Sequence, residues 1–395
     1  MNKNKQKFWI SSVFNAVNDN QSLGNDWVIS AGKQQKKLKR PPVKVNYLGS
    51  IADYEPDPLA DPKVNQQNEA YFKQYITNND RVLKQAIDIL SQSRTGRYLL
   101  EEMTKEGYRI AFDDRRTGAH GAGGLCDAAN KLLALRSEKD PYYVALVIGH
   151  EAVHALQNAK SDIFPSSLHK PEEGIKLSFA IEADAYAQQV QMALELSYGD
   201  SKGPANQIKY DQPLQQMRKR FPDIVKAAEK SFMDAKDLES GLVCAAAFEA
   251  FYENPRLRTF YEDAHIQWAN MYAPRLMQNK TQQKRNFSKS VKSQHVKSHL
   301  LHLGKPYVEN VFPKLDLNDE KHSGLSKETC AEVQTFYQSF KPNARPPKLK
   351  QFGVHMKDAV SWVLGWSSKT GSVVVKNKNN TPPAKPPLRP PPRFG

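Results

Sequence analysis

Apolar residues recur at helical spacing through the middle of the chain. Tyr71, Ile76, Val82, Leu83, Ile87 and Leu90 predict one or two helices over 66–92. Leu99 to Lys105 reads as a short helix stopped by Gly107, and Tyr108 to Phe112 alternates like a strand. Thr117 to Gly124, with its glycines around His120, reads as a mobile loop or turn. Leu125-Cys126 and Lys131 to Leu135 read as a hairpin across Asp127-Ala128-Ala129-Asn130. Asp140 is a good N-cap and Pro141 suits the first helical position, so a helix is expected from Tyr142 to about Asn158. A loop over 159–170 follows, then a helix from Pro171 or Gly174 to Leu196. Residues 209–233 and 236–272 also read as helical, the latter divided at Pro255.

The ends have a different pattern. A short helix around Trp9, Val13 and Val17 is followed by linker composition over 23–64. Beyond about 274 the periodicity weakens, and 277–298 reads as exposed or disordered. One amphipathic helix is expected over Ser326 to Phe340, before a polyproline tail ending Pro390-Pro391-Pro392-Arg393. The chain therefore divides into a basic arm and linker (1–64), a folded domain (65–273), a basic segment with one helix (274–340) and a Pro/Lys-rich tail (341–395). The expected fold is mainly α, of the α+β kind, with a small hairpin or sheet beside the helix at 142–158.

Charge sharpens that division. The net charge is +15, but residues 1–45, 274–314 and 340–395 hold nine, nine and eleven Lys/Arg against two, one and one acids. The remaining body is acidic. Such arms suit an acidic partner or nucleic acid, and the polyproline tail suits a proline-reading domain. Three scattered cysteines, Cys126, Cys244 and Cys330, argue against a disulfide framework. The N-terminus is a poor secretory signal, and no apolar run reaches 18 residues. A cytoplasmic protein with no transmembrane segment is expected, with signal-independent export left open.

The chemistry concentrates in His150-Glu151-Ala152-Val153-His154, a His-Glu-x-x-His pattern. Residues four apart share a helix face, so two imidazoles can meet one metal ion, with Glu151 about 100° further round. Apolar residues surround the motif, so its polar side chains must be partnered. The expected cofactor is Zn2+, which needs a third protein ligand. The metzincin spacing is excluded, because positions 157 and 160 hold Gln157 and Lys160. A Glu on a following helix is the other solution. Glu182 is the first choice and Asp184 the second, and lying about 200° apart on a helix they cannot easily serve one ion. Asp184 otherwise supports a ligand from behind. His169, Glu172 and Glu173 are also within reach by sequence.

These residues carry a resemblance. His150-Glu151-x-x-His154-x-x-Gln157 followed by Glu182-Ala183-Asp184-Ala185 resembles the gluzincin-type zinc metallopeptidases, and most of all an uncharacterised bacterial family of that kind. The stretch from Ala247 to Pro255, leading to Tyr261, is also similar to it, so the resemblance covers about residues 80–270. It implies a zincin-like helical domain and a zinc metalloendopeptidase acting on protein or peptide substrates. His150, His154 and Glu182 would be the ligands, and Glu151 the general base for a metal-activated water. The thermolysin-like pattern would place an acid where this chain has Tyr186, a departure in the residues that support the ligands. Tyr186, one turn from Glu182 on the same face, is the first candidate for transition-state stabilisation, ahead of His120 and His265. Substrate would add as a strand along a sheet edge, for which Lys131 to Leu135 is the candidate. The alternatives are a catalytically inactive zincin-like binding or scaffold protein, and a protein that works through its basic arms. Arm-dependent, salt-sensitive binding would favour the last; activity that survives removal of the arms and is lost with Glu151→Gln would favour the enzyme.

Overall fold

The computed structural model describes residues 43–50, 62–120, 122–160, 171–199, 209–262 and parts of 296–338. The elements expected at 1–22, over 263–295 and in the polyproline tail lie outside these residues.

In chain order the elements are β1 (Tyr47–Ser50), α1 (Pro62–Leu90), α2 (Arg94–Lys105), β2 (Arg109–Phe112), α3 (Asp114–His120), β3 (Gly124–Asp127) and β4 (Leu132–Leu135). Then come α4 (Pro141–Lys160), α5 (Pro171–Tyr198), α6 (Asp211–Arg220), α7 (Pro222–Ala235), α8 (Leu242–Glu253), the pair β5 (Leu301–His302) and β6 (Lys305–Pro306), and α9 (Lys327–Gln338). The described residues are mostly helical with a small sheet. None of their helices is long and apolar enough to cross a membrane.

Local chemistry sets the main boundaries. Asp140 Oδ1 accepts from the Tyr142 N–H at 2.9 Å and Pro141 begins α4. Ser93 caps α2 by accepting from the Gly96 N–H, and Gly107 at φ 82° carries the chain out of it. Helices α4 and α5 are buried nearly all round, as their apolar surfaces require. Gly149 lets them approach, because a Cβ there would run into the Met192 side chain.

The core has two large parts, with α5 contributing to both. One contains α1, α2, the sheet and most of α4; the other contains α6, α7 and α8. The sheet order is β1-β2-β4-β3, with β1, β2 and β4 parallel and β3 antiparallel to β4. The 125–135 hairpin forms as expected, with Cys126 opposite Leu133.

Five features differ from the sequence reading. The loop expected over 117–124 begins as helix α3, because Asp113 caps it: Oδ1 accepts from the Arg116 N–H at 3.0 Å. The supposed linker contains β1, whose Tyr47 and Leu48 are 39% and 47% exposed and so leave no burial pattern. Lys131 to Leu135 is not a sheet edge, since β4 lies between β2 and β3; the outer strand on that side is β3. The 209–233 helix is two helices, with Phe221 outside helical geometry before Pro222. Beyond 274, Val296, Leu300 and Tyr307 are buried in the α5–α8 core, in a stretch where charge and polarity hide the contact.

Candidate metal centre

His150 and His154 stand one turn apart on α4, and their Nε2 atoms lie 3.2 Å from each other. Across from them α5 presents Glu182, with Oε2 3.5 Å from His150 Nε2 and Oε1 3.4 Å from His154 Nε2. All three residues are buried, and one ligand atom from each falls within a 4.8 Å cluster. Ligands held at ~2.0–2.1 Å by a tetrahedral ion stand about 3.3 Å from one another. The imidazole pair matches that edge, and each imidazole meets one Glu182 oxygen, Oε2 or Oε1, at a similar separation, so the donor set can converge on one ion.

Without an ion the cluster is held by a proton. Burial pulls the His154 imidazole down, but the Glu182 carboxylate overrides it and lifts the pKa to about 9. Burial raises Glu182, but His154 and His150 override it and bring it to about 2. The metal-free site therefore contains an imidazolium–carboxylate pair, and a metal must replace that proton to bind.

The surrounding residues hold these side chains in orientation. His154 Nδ1 donates to Gln157 Oε1 at 2.8 Å, leaving Nε2 to face Glu182. Gln157 Nε2 in turn donates to Asp184 Oδ2 at 2.8 Å and to the Ile181 carbonyl at 3.2 Å. Asp184 Oδ1 accepts from the Tyr307 hydroxyl at 2.9 Å and from Gln188 at 3.0 Å. Burial pushes Asp184 up to about 6 despite those bonds. Asp184 thus lies behind the histidine rather than in the His/His/Glu cluster. The Tyr261 hydroxyl donates to Glu182 Oε2 at 2.9 Å.

Tyr186 packs edge-on to His150 with ring centroids 5.0 Å apart, between Phe221 and Phe251. Its hydroxyl shares a hydrogen bond with Tyr261, and burial raises its pKa. Glu151 turns toward β3 and accepts a hydrogen bond from the Cys126 backbone. Burial pushes its carboxyl up, against the pull of His150 and His154. Gly124 makes room for it: a Cβ there would sit 2.8 Å from Glu151 Cγ. A cleft opens on this side, lined by Gly123, Gly124, His150, Glu151 and Tyr186 among others.

Among the described candidates, Glu172 and Glu173 are not part of this cluster. Glu172 accepts from Gln334 and Glu173 pairs with Lys176. His169, His265 and the His120 side chain lie outside the described residues. The roles of Gln157, Tyr261, Gln188 and Tyr307 were not foreseen. Gln157 had a signal, one turn beyond His154, and Tyr261 stood at the end of the family-like stretch; Tyr307 had none, being remote in sequence from the acid it touches.

A family model described as "Putative metallopeptidase family (DUF6782)" matches residues 62–289. The chain belongs to this family. The match spans both helices of the His/His/Glu cluster and the β3 strand beside it. No curated protein and no solved structure matches the chain.

Proposed function

We propose that this family member is a zinc-dependent endopeptidase of the gluzincin type, with His150, His154 and Glu182 as metal ligands and Glu151 as general base. The observation that carries the reading is the buried convergence of two imidazole nitrogens 3.2 Å apart with a Glu182 oxygen within 3.5 Å of each, one ligand atom per residue falling within 4.8 Å. A two-imidazole, one-carboxylate set with room for a fourth ligand favours zinc. The ion, when bound, supplies Lewis acidity that acidifies water and polarises a peptide carbonyl.

The chain's own residues do the rest. Glu151, desolvated against β3, accepts the proton of the attacking water and returns it to the leaving amine. Gln157 keeps His154 in the tautomer that directs Nε2 inward, and Asp184 holds Gln157. Tyr261 fixes the Glu182 carboxylate, while Tyr186 orients the His150 ring from the cleft side. An extended peptide adds along β3, the outer strand, which brings its backbone past Glu151.

Metal content of the purified protein beside His150→Ala tests the site first. About one zinc per chain in the native protein and far less in the variant is the expected result. Absence of metal after zinc is offered would sink the proposal. Zinc retained with no peptide cleaved would instead mark a binding protein built on a peptidase frame.

A further inference from the structure

Helix α6 ends in three basic residues, Arg218-Lys219-Arg220, with different surroundings. Arg218 pairs with Glu229, and Lys219 is exposed to solvent. Arg220 lines the cleft that contains His150 and Glu151. Its guanidinium carbon lies 3.9 Å from the centroid of the Tyr143 ring. Among the described residues Arg220 forms no ion pair, and its Nε is enclosed without any hydrogen-bond partner. Among the described residues lining this cleft it is also the only lysine or arginine.

The nearby acids are committed elsewhere. Asp140 accepts from Gln216 and from the Tyr142 N–H, and Glu229 from Arg218. Glu182 is held by Tyr261 beside the two histidines, and Glu151 faces Cys126. A guanidinium stacked over an aromatic face loses little, because its N–H donors lie in its own plane and remain available at the edge. A carboxylate meets that edge with two parallel hydrogen bonds, and its charge satisfies a half-buried cation that forms no ion pair among the described residues.

We infer that Arg220, stacked on Tyr143, makes this cleft a carboxylate-binding subsite, so the peptides taken carry a carboxylate close to the bond that is cut. The inference rests on the peptidase reading above for the word "cut", but not for the binding. The carboxylate belongs either to an Asp or Glu side chain or to the free C-terminus of the peptide. The two sources place it on the same guanidinium and differ in which bonds are exposed to Glu151.

The test uses the zinc-loaded full chain and a peptide library offered with free and with amidated C-termini, with cut sites read by mass spectrometry. In parallel, calorimetry on Glu151→Gln measures binding of acetylated pentapeptide amides that differ only by Glu or Gln, and of the Gln peptide with a free C-terminus. The variants are Arg220→Met, which keeps the bulk on Tyr143, and Arg220→Lys. The peptide-side exchange of Glu for Gln needs no protein variant and so does not depend on either one folding.

If the subsite takes side chains, cuts cluster beside Asp and Glu, and Glu→Gln in the peptide weakens binding about 10- to 100-fold. Arg220→Met gives the same loss for the acidic peptide alone, and Arg220→Lys restores part of it. If the subsite takes chain ends, cuts fall near free C-termini, and amidation produces the loss. Cutting without any preference for a carboxylate, or an Arg220→Met loss equal for all peptides, overturns the inference and leaves the peptidase intact. Carboxylate binding that depends on Arg220 with no peptide cut upholds the inference and ends the peptidase reading. Neither cutting nor carboxylate binding ends both.

Discussion

Two glutamates on α5 show how little burial by itself reveals about a carboxylate. Glu182 is 4% exposed and Glu195 is 2% exposed, both within the same mostly apolar helix. Glu195 is surrounded by neutral donors: the Ser93 and Thr95 hydroxyls, the Thr95 N–H and the Gln191 amide, all within 2.9 Å. Every one of these donates to it, so the charge is solvated inside the protein and clasps the start of α2 to α5. Glu182 has one such donor, Tyr261, and otherwise faces two imidazoles whose nitrogens carry lone pairs unless protonated. Acceptors facing acceptors need a cation between them. Glu182, the proposed metal ligand, is therefore marked by what its neighbours lack, and Glu195 as a structural carboxylate by what its neighbours donate.

The largest effect expected concerns the proton chemistry confined to the first site. Glu151→Gln should lower kcat about a thousandfold while zinc content stays unchanged. Rate assays and metal analysis on one preparation check this, and loss of zinc with the rate would mean that Glu151 is a ligand instead.

The comparison itself is tested by making the same change at both glutamates. Glu182→Gln should remove the metal, with a change in metal-free stability that is small beside the loss of zinc binding. Glu195→Gln should leave zinc content alone and cost about 3 kcal/mol, because an amide cannot accept from all of those donors. Denaturant unfolding and metal analysis of the pair decide it; the opposite pattern would reverse the two assignments.

A pH series sharpens it further. His154 is raised to about 9, so its pairing stabilises the metal-free protein fully below about 6.5 and fades as pH rises through 9. Glu182 is lowered to about 2, so its contribution is present above about 4.5 and is lost as pH falls through 2. Zinc must displace the His154 proton, so apparent affinity should climb roughly tenfold per pH unit from 7 toward 9. Competition with a chelator at fixed pH values measures this. A flat profile would mean that the imidazole is already neutral.

The smallest expected change lies behind the ligands. Asp184→Asn removes the charge that anchors Gln157, Tyr307 and Gln188, and should weaken zinc binding roughly tenfold with the fold intact. An unchanged affinity would show that Gln157 holds His154 through the Ile181 carbonyl alone.

Much of the fold could be read before any coordinates. The helices at 141–160 and 171–198 announce themselves through a capping Asp, a Pro and sustained apolar positions, and the hairpin through two runs separated by a turn. Strand β1 could not be read, because its hydrogen bonds to a distant parallel strand form it and its side chains stay largely exposed. Helix α3 was hidden by glycines that suggested a loop, although Asp113 held the cap. Tyr261 and Tyr307 reach α5 from 79 and 123 residues away, a separation that leaves no local trace.

The sequence by itself determined that His150 and His154 share a face, that Glu151 does not, and that Glu182 and Asp184 point apart. Those relations follow from 3.6 residues per turn and hold on any intact helix. Only the tertiary structure decided which acid on α5 meets the imidazoles, because the rotation of α5 against α4 is set by two cores packing on either side of it. It also decided that β3 rather than β4 is the outer strand, and that Arg220 faces the cleft. Strand order and the direction of a helix end depend on long-range packing, which local spacing does not encode.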